Sequence, residues 1–170
     1  DPVKKLFYYQ AAAVSPLQRE VYSVNMDGKI KPVSKEKGTN SAEFSRSFRY
    51  FINKYSSAGT PPVYTLYDAS GKQIRVLESN ESLKATLNEY NPSLKEFFTF
   101  TTSAGVALNG WVIYPPGFDQ TKKYPVLLNQ YSGPNSQEVL DSWGFGFDEY
   151  IAQKGYIVMC VDPRGTGARG

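Results

Sequence analysis

Serines beside glycine and a lone cysteine are the side chains of this sequence that could do covalent chemistry. Ser132 and Ser136 flank the short run Gly133-Pro134-Asn135. A serine becomes a nucleophile when an imidazole takes its proton and a third group orients that imidazole. The 170 residues contain no histidine and no G-x-S-x-G run. Both serines therefore read as turn formers, and the segment alone is expected to be inactive in such chemistry. Cys160 lies within the apolar run Tyr156-Ile157-Val158-Met159-Cys160-Val161 and reads as a buried, inert thiol. One cysteine excludes a disulfide within this segment, and without histidine no Cys/His metal cluster is expected. Gly165-Thr166-Gly167 has the glycines of a phosphate loop without the full G-x-G-x-x-G, so nucleotide binding is not expected and no cofactor is implied. Trp111 and Trp143 read as packing residues. Asn80-Glu81-Ser82 matches a glycosylation triplet of a kind that arises often by chance.

These residues must be positioned by a fold, and the composition is that of an ordinary globular protein: 41% hydrophobic and 21% charged. Aromatics reach 15%, which suits half-buried sheets. A net charge of +3, spread among mixed signs, gives no nucleic-acid surface. No apolar stretch approaches the ~20 residues that span a bilayer. Residues 6–10, 20–24, 49–55, 62–68 and 73–77 read as strands. Asp27-Gly28 marks a tight hairpin, and Ala69-Ser70-Gly71-Lys72 closes another. The recurrence of a strand, an Asp, a Gly-Lys and a strand favours propeller blades over a small β-sandwich. Asn80 is placed to cap a helix running to Tyr90, with Leu83 and Leu87 on one face and Asn91-Pro92 ending it.

From residue 94 the pattern becomes α/β. Residues 96–101 and 108–114 form a hairpin around Ser103-Ala104-Gly105. Residues 124–131 are a nearly all-apolar strand suited to burial on both faces. Residues 145–154 fit an amphipathic helix through Phe147, Tyr150 and Ile151, closed by Gly155, and residues 156–162 form the next buried strand. The expected fold class is thus mixed β and α/β: the last blade or blades of a β-propeller, then the N-terminal part of an α/β-hydrolase sheet. The expected divisions are 1–78 for the propeller end, 79–93 for a connecting helix, and 94–170 for the hydrolase part, truncated before its nucleophile.

Three runs carry a resemblance: Tyr114-Pro115-Pro116-Gly117-Phe118-Asp119, Lys122-Lys123-Tyr124-Pro125-Val126-Leu127-Leu128, and Tyr131-Ser132-Gly133-Pro134-Asn135-Ser136-Gln137. They resemble the prolyl-oligopeptidase superfamily of serine peptidases, and within it the dipeptidyl peptidase IV family. Val14-Ser15-Pro16-Leu17-Gln18-Arg19 and Tyr55-Ser56-Ser57-Ala58-Gly59-Thr60-Pro61-Pro62-Val63-Tyr64 resemble that family's last propeller blades. The resemblance implies that the chain is an interior fragment of a serine exopeptidase releasing N-terminal Xaa-Pro, or less well Xaa-Ala, dipeptides. It implies peptide substrates as partners, a homodimer, and export to the periplasm, cell surface or medium. Tyr131 matches the family tyrosine whose hydroxyl helps form the oxyanion hole, while nucleophile, acid and base would follow Gly170. Asp162 is therefore not expected to be the triad acid, which follows the nucleophile in that fold. Arg164 falls in a D-x-R-G-x-G stretch and reads as a loop anchor. Asn135 stands where some members have cysteine, and Asn129-Gln130 replaces the commoner Asp-Val.

Two other classes of function remain open on these residues. One is a non-catalytic relative acting as a binding or regulatory module. The other is a freestanding β-rich interaction domain, which would have to fold alone despite an unpaired apolar sheet edge.

Overall fold

Asn25 and Asp68 close two hairpins by the same chemistry. The Asn25 Oδ1 accepts the backbone N–H of Asp27 and of Lys29 at 3.2 and 2.8 Å. The Asp68 Oδ1 accepts from the N–H of Ser70 and Lys72 at 2.8 and 3.1 Å, and from the Ser70 hydroxyl. Gly28 and Gly71 follow at φ 79° and 82°, the left-handed region that glycine enters freely. The tight hairpin expected at Asp27-Gly28 is present between the two strands, with Asn25 as its side-chain acceptor. The hydrogen bonds from Ser70 and Lys72 hold the Asp68 carboxyl below its ordinary value.

The computed structural model describes residues 1–169, which form two compact units. The first comprises residues 1–84 and 141–143. It holds an antiparallel sheet of β1 (Leu6–Ala11), β2 (Glu20–Asn25) and β3 (Ile30–Pro32), and another of β4 (Thr39–Phe44), β5 (Tyr50–Ser57), β6 (Thr60–Asp68) and β7 (Gln73–Glu78) in chain order. Phe44 pairs directly with Phe51 and Phe51 with Tyr67, so their ring centres lie 5.2 and 5.1 Å apart, the first pair tilted and the second stacked. Tyr8 extends the row, its ring 4.0 Å from that of Phe44. Each such aromatic pair adds about 0.5–1.5 kcal/mol beyond burial.

A polar knot lies among the same strands. Asn40 is fully buried. Its amide donates to the carbonyls of Arg19 and Glu36, and its Oδ1 accepts from Asn53. The Tyr67 hydroxyl donates to Glu36 at 3.1 Å, and burial followed by that carboxylate pushes the phenol up to about 12. Residues 141–143 are bound into this unit by hydrogen bonds in both directions. The Asp141 N–H donates to Leu17, its carbonyl accepts from the Thr39 hydroxyl, its Oδ1 accepts from the Ala58 N–H, and the Trp143 N–H donates to Ser56 Oγ.

The second unit comprises residues 85–140 and 144–169. The helix α1 (Glu81–Tyr90) crosses the division and buries none of its side chains. Leu83 is exposed, and the Asn80 side chain donates to the Pro62 carbonyl instead of capping. The sheet has the order β10 (Val126–Leu128), β11 (Ile157–Val161), β9 (Ala107–Ile113), β8 (Glu96–Thr101). β10 and β11 are parallel and joined through α2 (Phe147–Gln153), while β9 is antiparallel to both its neighbours. Trp111, Ile113, Val139, Ala152, Val158 and Cys160 form the core. Gly110 admits no side chain, because a Cβ there would collide with the Phe98 ring and lie 2.8 Å from the Cys160 carbonyl.

Two expectations are corrected here. β10 is three residues long and pairs on one side only among the described residues, leaving Val126 57% and Leu128 54% exposed. In α2, Phe147 and Tyr150 face outward and Glu149 is buried, because its carboxylate folds back to the Gly146 N–H at 2.7 Å. Gly155 does end this helix, at φ 91° with its N–H on the Ala152 carbonyl.

Candidate active-site loop

The chain leaves β10 with one more rung, as the Asn129 N–H donates to the Met159 carbonyl at 2.9 Å. The Asn129 amide also donates to Asp148 in the first turn of α2 at 3.0 Å. Two residues later Tyr131 stands 73% exposed at the carboxyl end of a parallel strand. Open α/β sheets place their ligands at such ends.

The turn that follows is strained and braced. Ser132 and Asn135 hold φ of 59° and 57°, a region that costs residues other than glycine of order 1 kcal/mol or more. Ser136 donates both its N–H and its hydroxyl to the Gly133 carbonyl. The loop after β11 supplies the rest: the Asn135 N–H donates to Gly165 at 2.9 Å, and the Gly167 N–H donates to Ser136 at 3.0 Å. Asp162, 4% exposed, accepts the N–H groups of Glu138 and Val139 on its two oxygens at 3.0 and 3.1 Å. Trp111 Nε1 donates to the Glu138 carbonyl at 3.2 Å, with the Lys95 ammonium 4.7 Å from its ring centre. Charge-assisted bonds of the Asp162 kind contribute about 1.5–3 kcal/mol each.

Comparison with known proteins bears on this geometry. Residues 1–62 match the model of the dipeptidyl peptidase IV (DPP IV) N-terminal region. A probable dipeptidyl peptidase 4 of Trichophyton verrucosum is 36% identical over the whole chain, and a probable dipeptidyl-aminopeptidase B of Fusarium vanettenii is 35% identical. The crystal structure of Porphyromonas gingivalis dipeptidyl peptidase 4 superposes with a TM-score of 0.94 at 45% identity over 98% of the chain. Over this stretch the chain belongs to the dipeptidyl peptidase IV family. It spans 24% of the length of the Trichophyton relative, 19% of the Fusarium one and 24% of the Porphyromonas chain.

The other residues singled out in the sequence fall as follows. Ser132 is exposed, and the Ser136 hydroxyl is engaged within its own turn. Cys160 is a free, buried thiol pushed up to about 12, first by burial and then by Asp162. It stays protonated and unreactive at neutral pH. Arg164 is exposed, so the family stretch that contains it is anchored by others: Asp162 on the backbone of residues 138 and 139, and Thr166 on the Pro163 carbonyl. Trp111 is 2% exposed and packs as expected. Among the described residues no helix is long and apolar enough to cross a membrane, and no group of three or more metal-binding side chains occurs. The bracing role of Asp162 was missed in the sequence. Its signal was an acid ending an apolar strand just before a glycine-rich turn, where a buried carboxylate needs backbone donors.

Proposed function

We propose that the protein is a serine-type dipeptidyl peptidase that releases N-terminal dipeptides whose second residue is proline or, less well, alanine. Family membership supports the peptidase class. The observation that carries the site is Tyr131, an exposed phenol at the end of β10 on a braced turn. In this reading β8 to β11 and α2 begin an α/β-hydrolase sheet, supported by the antiparallel hairpin followed by a parallel strand–helix–strand crossover. Residues 1–78 end a propeller and residues 79–93 connect to the sheet. Acyl transfer develops negative charge on the substrate carbonyl oxygen. The Tyr131 hydroxyl donates to that oxygen, an interaction worth about 3–4 kcal/mol of barrier in comparable sites. Nucleophile, acid and base are supplied by the remaining length that the relatives possess. The protein works after export, as a homodimer.

The test is hydrolysis by the full-length protein of chromogenic Xaa-Pro, Xaa-Ala and Xaa-Gly amides. Release of intact dipeptides in the order Pro, Ala, Gly, abolished by a fluorophosphonate, is expected. Single-residue release, or no hydrolysis with intact folding, would point to another function.

A further inference from the structure

Gly133 lies beneath the ring of Tyr131. A Cβ built on Gly133 would meet Tyr131 Cε1 at 2.5 Å, and Cδ1 and Cζ at 3.2 Å. Nothing about the backbone of Gly133 demands glycine, because it is not among the residues at positive φ. A side chain there would instead displace the Tyr131 ring. The carbonyl of Gly133 is also fixed, accepting both the N–H and the hydroxyl of Ser136. Ser136 in turn is tied through its own carbonyl to the Gly167 N–H. The ring therefore rests on a platform whose position the neighbouring loop determines.

We infer that Gly133 is a positioning residue, a bare seat that sets the direction of the Tyr131 hydroxyl. The inference rests on the reading of Tyr131 as the oxyanion donor. A methyl group at Gly133 has one inexpensive way out of the clash. The Tyr131 ring is exposed and can swing, whereas the pinned carbonyl of Gly133 resists a shift of the backbone. Gly133→Ala should thus leave the fold intact and misdirect the phenol. A misdirected donor weakens an interaction made in the transition state, so kcat falls while KM holds.

The experiment is a double-mutant cycle in the full-length enzyme on an Xaa-Pro amide, using Tyr131→Phe, Gly133→Ala and the pair. A fluorine spectrum of 3-fluorotyrosine placed at position 131 accompanies it. Expected are a loss in kcat of tenfold or more for Gly133→Ala with KM within twofold, and a double variant no slower than Tyr131→Phe. The fluorine signal should move on Gly133→Ala, with an unchanged melting temperature. A fluorine signal that stays put overturns the seat. So does a slow Tyr131→Phe beside a Gly133→Ala of normal kcat, or a double variant as slow as the product of the singles. A Tyr131→Phe enzyme of normal kcat instead overturns the oxyanion role itself, and with it the catalytic use of the seat. The fluorine signal then still reports whether Gly133 orients the ring.

Discussion

The polar knot around Asn40 and the turn after Tyr131 use hydrogen bonds to opposite ends. Around Asn40 the side-chain polar atoms are buried and bonded to the backbone of Arg19 and Glu36 and to Asn53, whose own Oδ1 is buried without a partner, so the network ties the strands together and turns inward. At the turn, the buried polar groups lie behind the loop, in Asp162 and the indole of Trp111, and they hold an aromatic side chain out in the open. The knot is an end in itself, whereas the brace serves a residue it does not touch. Burial alone would rank Asn40 above Tyr131, and exposure is what makes Tyr131 available to a ligand.

The largest expected effect breaks the knot. Asn40→Ala removes two donated bonds and one accepted bond from a fully buried site, and should cost about 3 kcal/mol or more. Urea unfolding of the full-length protein measures it, and a loss below about 1 kcal/mol would mean water replaces the amide. Next comes Tyr131→Phe, with kcat down roughly a hundred- to a thousandfold and stability unchanged. A fall in melting temperature would make Tyr131 a member of the core after all. Asp162→Asn keeps the shape but turns one acceptor into a donor facing a backbone N–H. It should destabilise by about 2 kcal/mol and slow turnover through the loop, a double effect that Asn40→Ala is not expected to give. The smallest is Gly71→Ala, where open space surrounds the site and the cost is the left-handed backbone alone, about 1 kcal/mol by thermal melt.

The sequence made the strands rich in aromatic and β-branched residues legible, and the structure has them at β1, β2, β5, β6 and β7. β4 escaped because its inward positions begin with Asn40, a residue that reads as a turn former until its three partners are known. β3 escaped because it is three exposed residues ending in proline. The motif around Tyr131 could be read directly, since its serines, glycine and proline spell a turn. Its support could not. The bonds from Gly165, Gly167 and Asp162 join residues more than twenty positions apart and leave no periodic trace in either segment. Helix α2 misled for a related reason: an amphipathic count assigns Tyr150 to the inside, and it has no way of scoring a glutamate that turns back to cap its own first turn.

The short segment at residues 141–143 sets a timetable for synthesis. The first unit contains everything up to residue 84 and then nothing more until Asp141, whose carbonyl accepts from Thr39 across 102 positions. A ribosome that has released residue 84 has delivered the strands of that unit but not their final clasp. Ala58 and Ser56 must wait, solvated, until some sixty further residues emerge at about 5–20 per second. Trimming the gene after residue 84 would strip the unit of this clasp, and a nascent chain stalled in that interval would expose the groups that the downstream tripeptide covers.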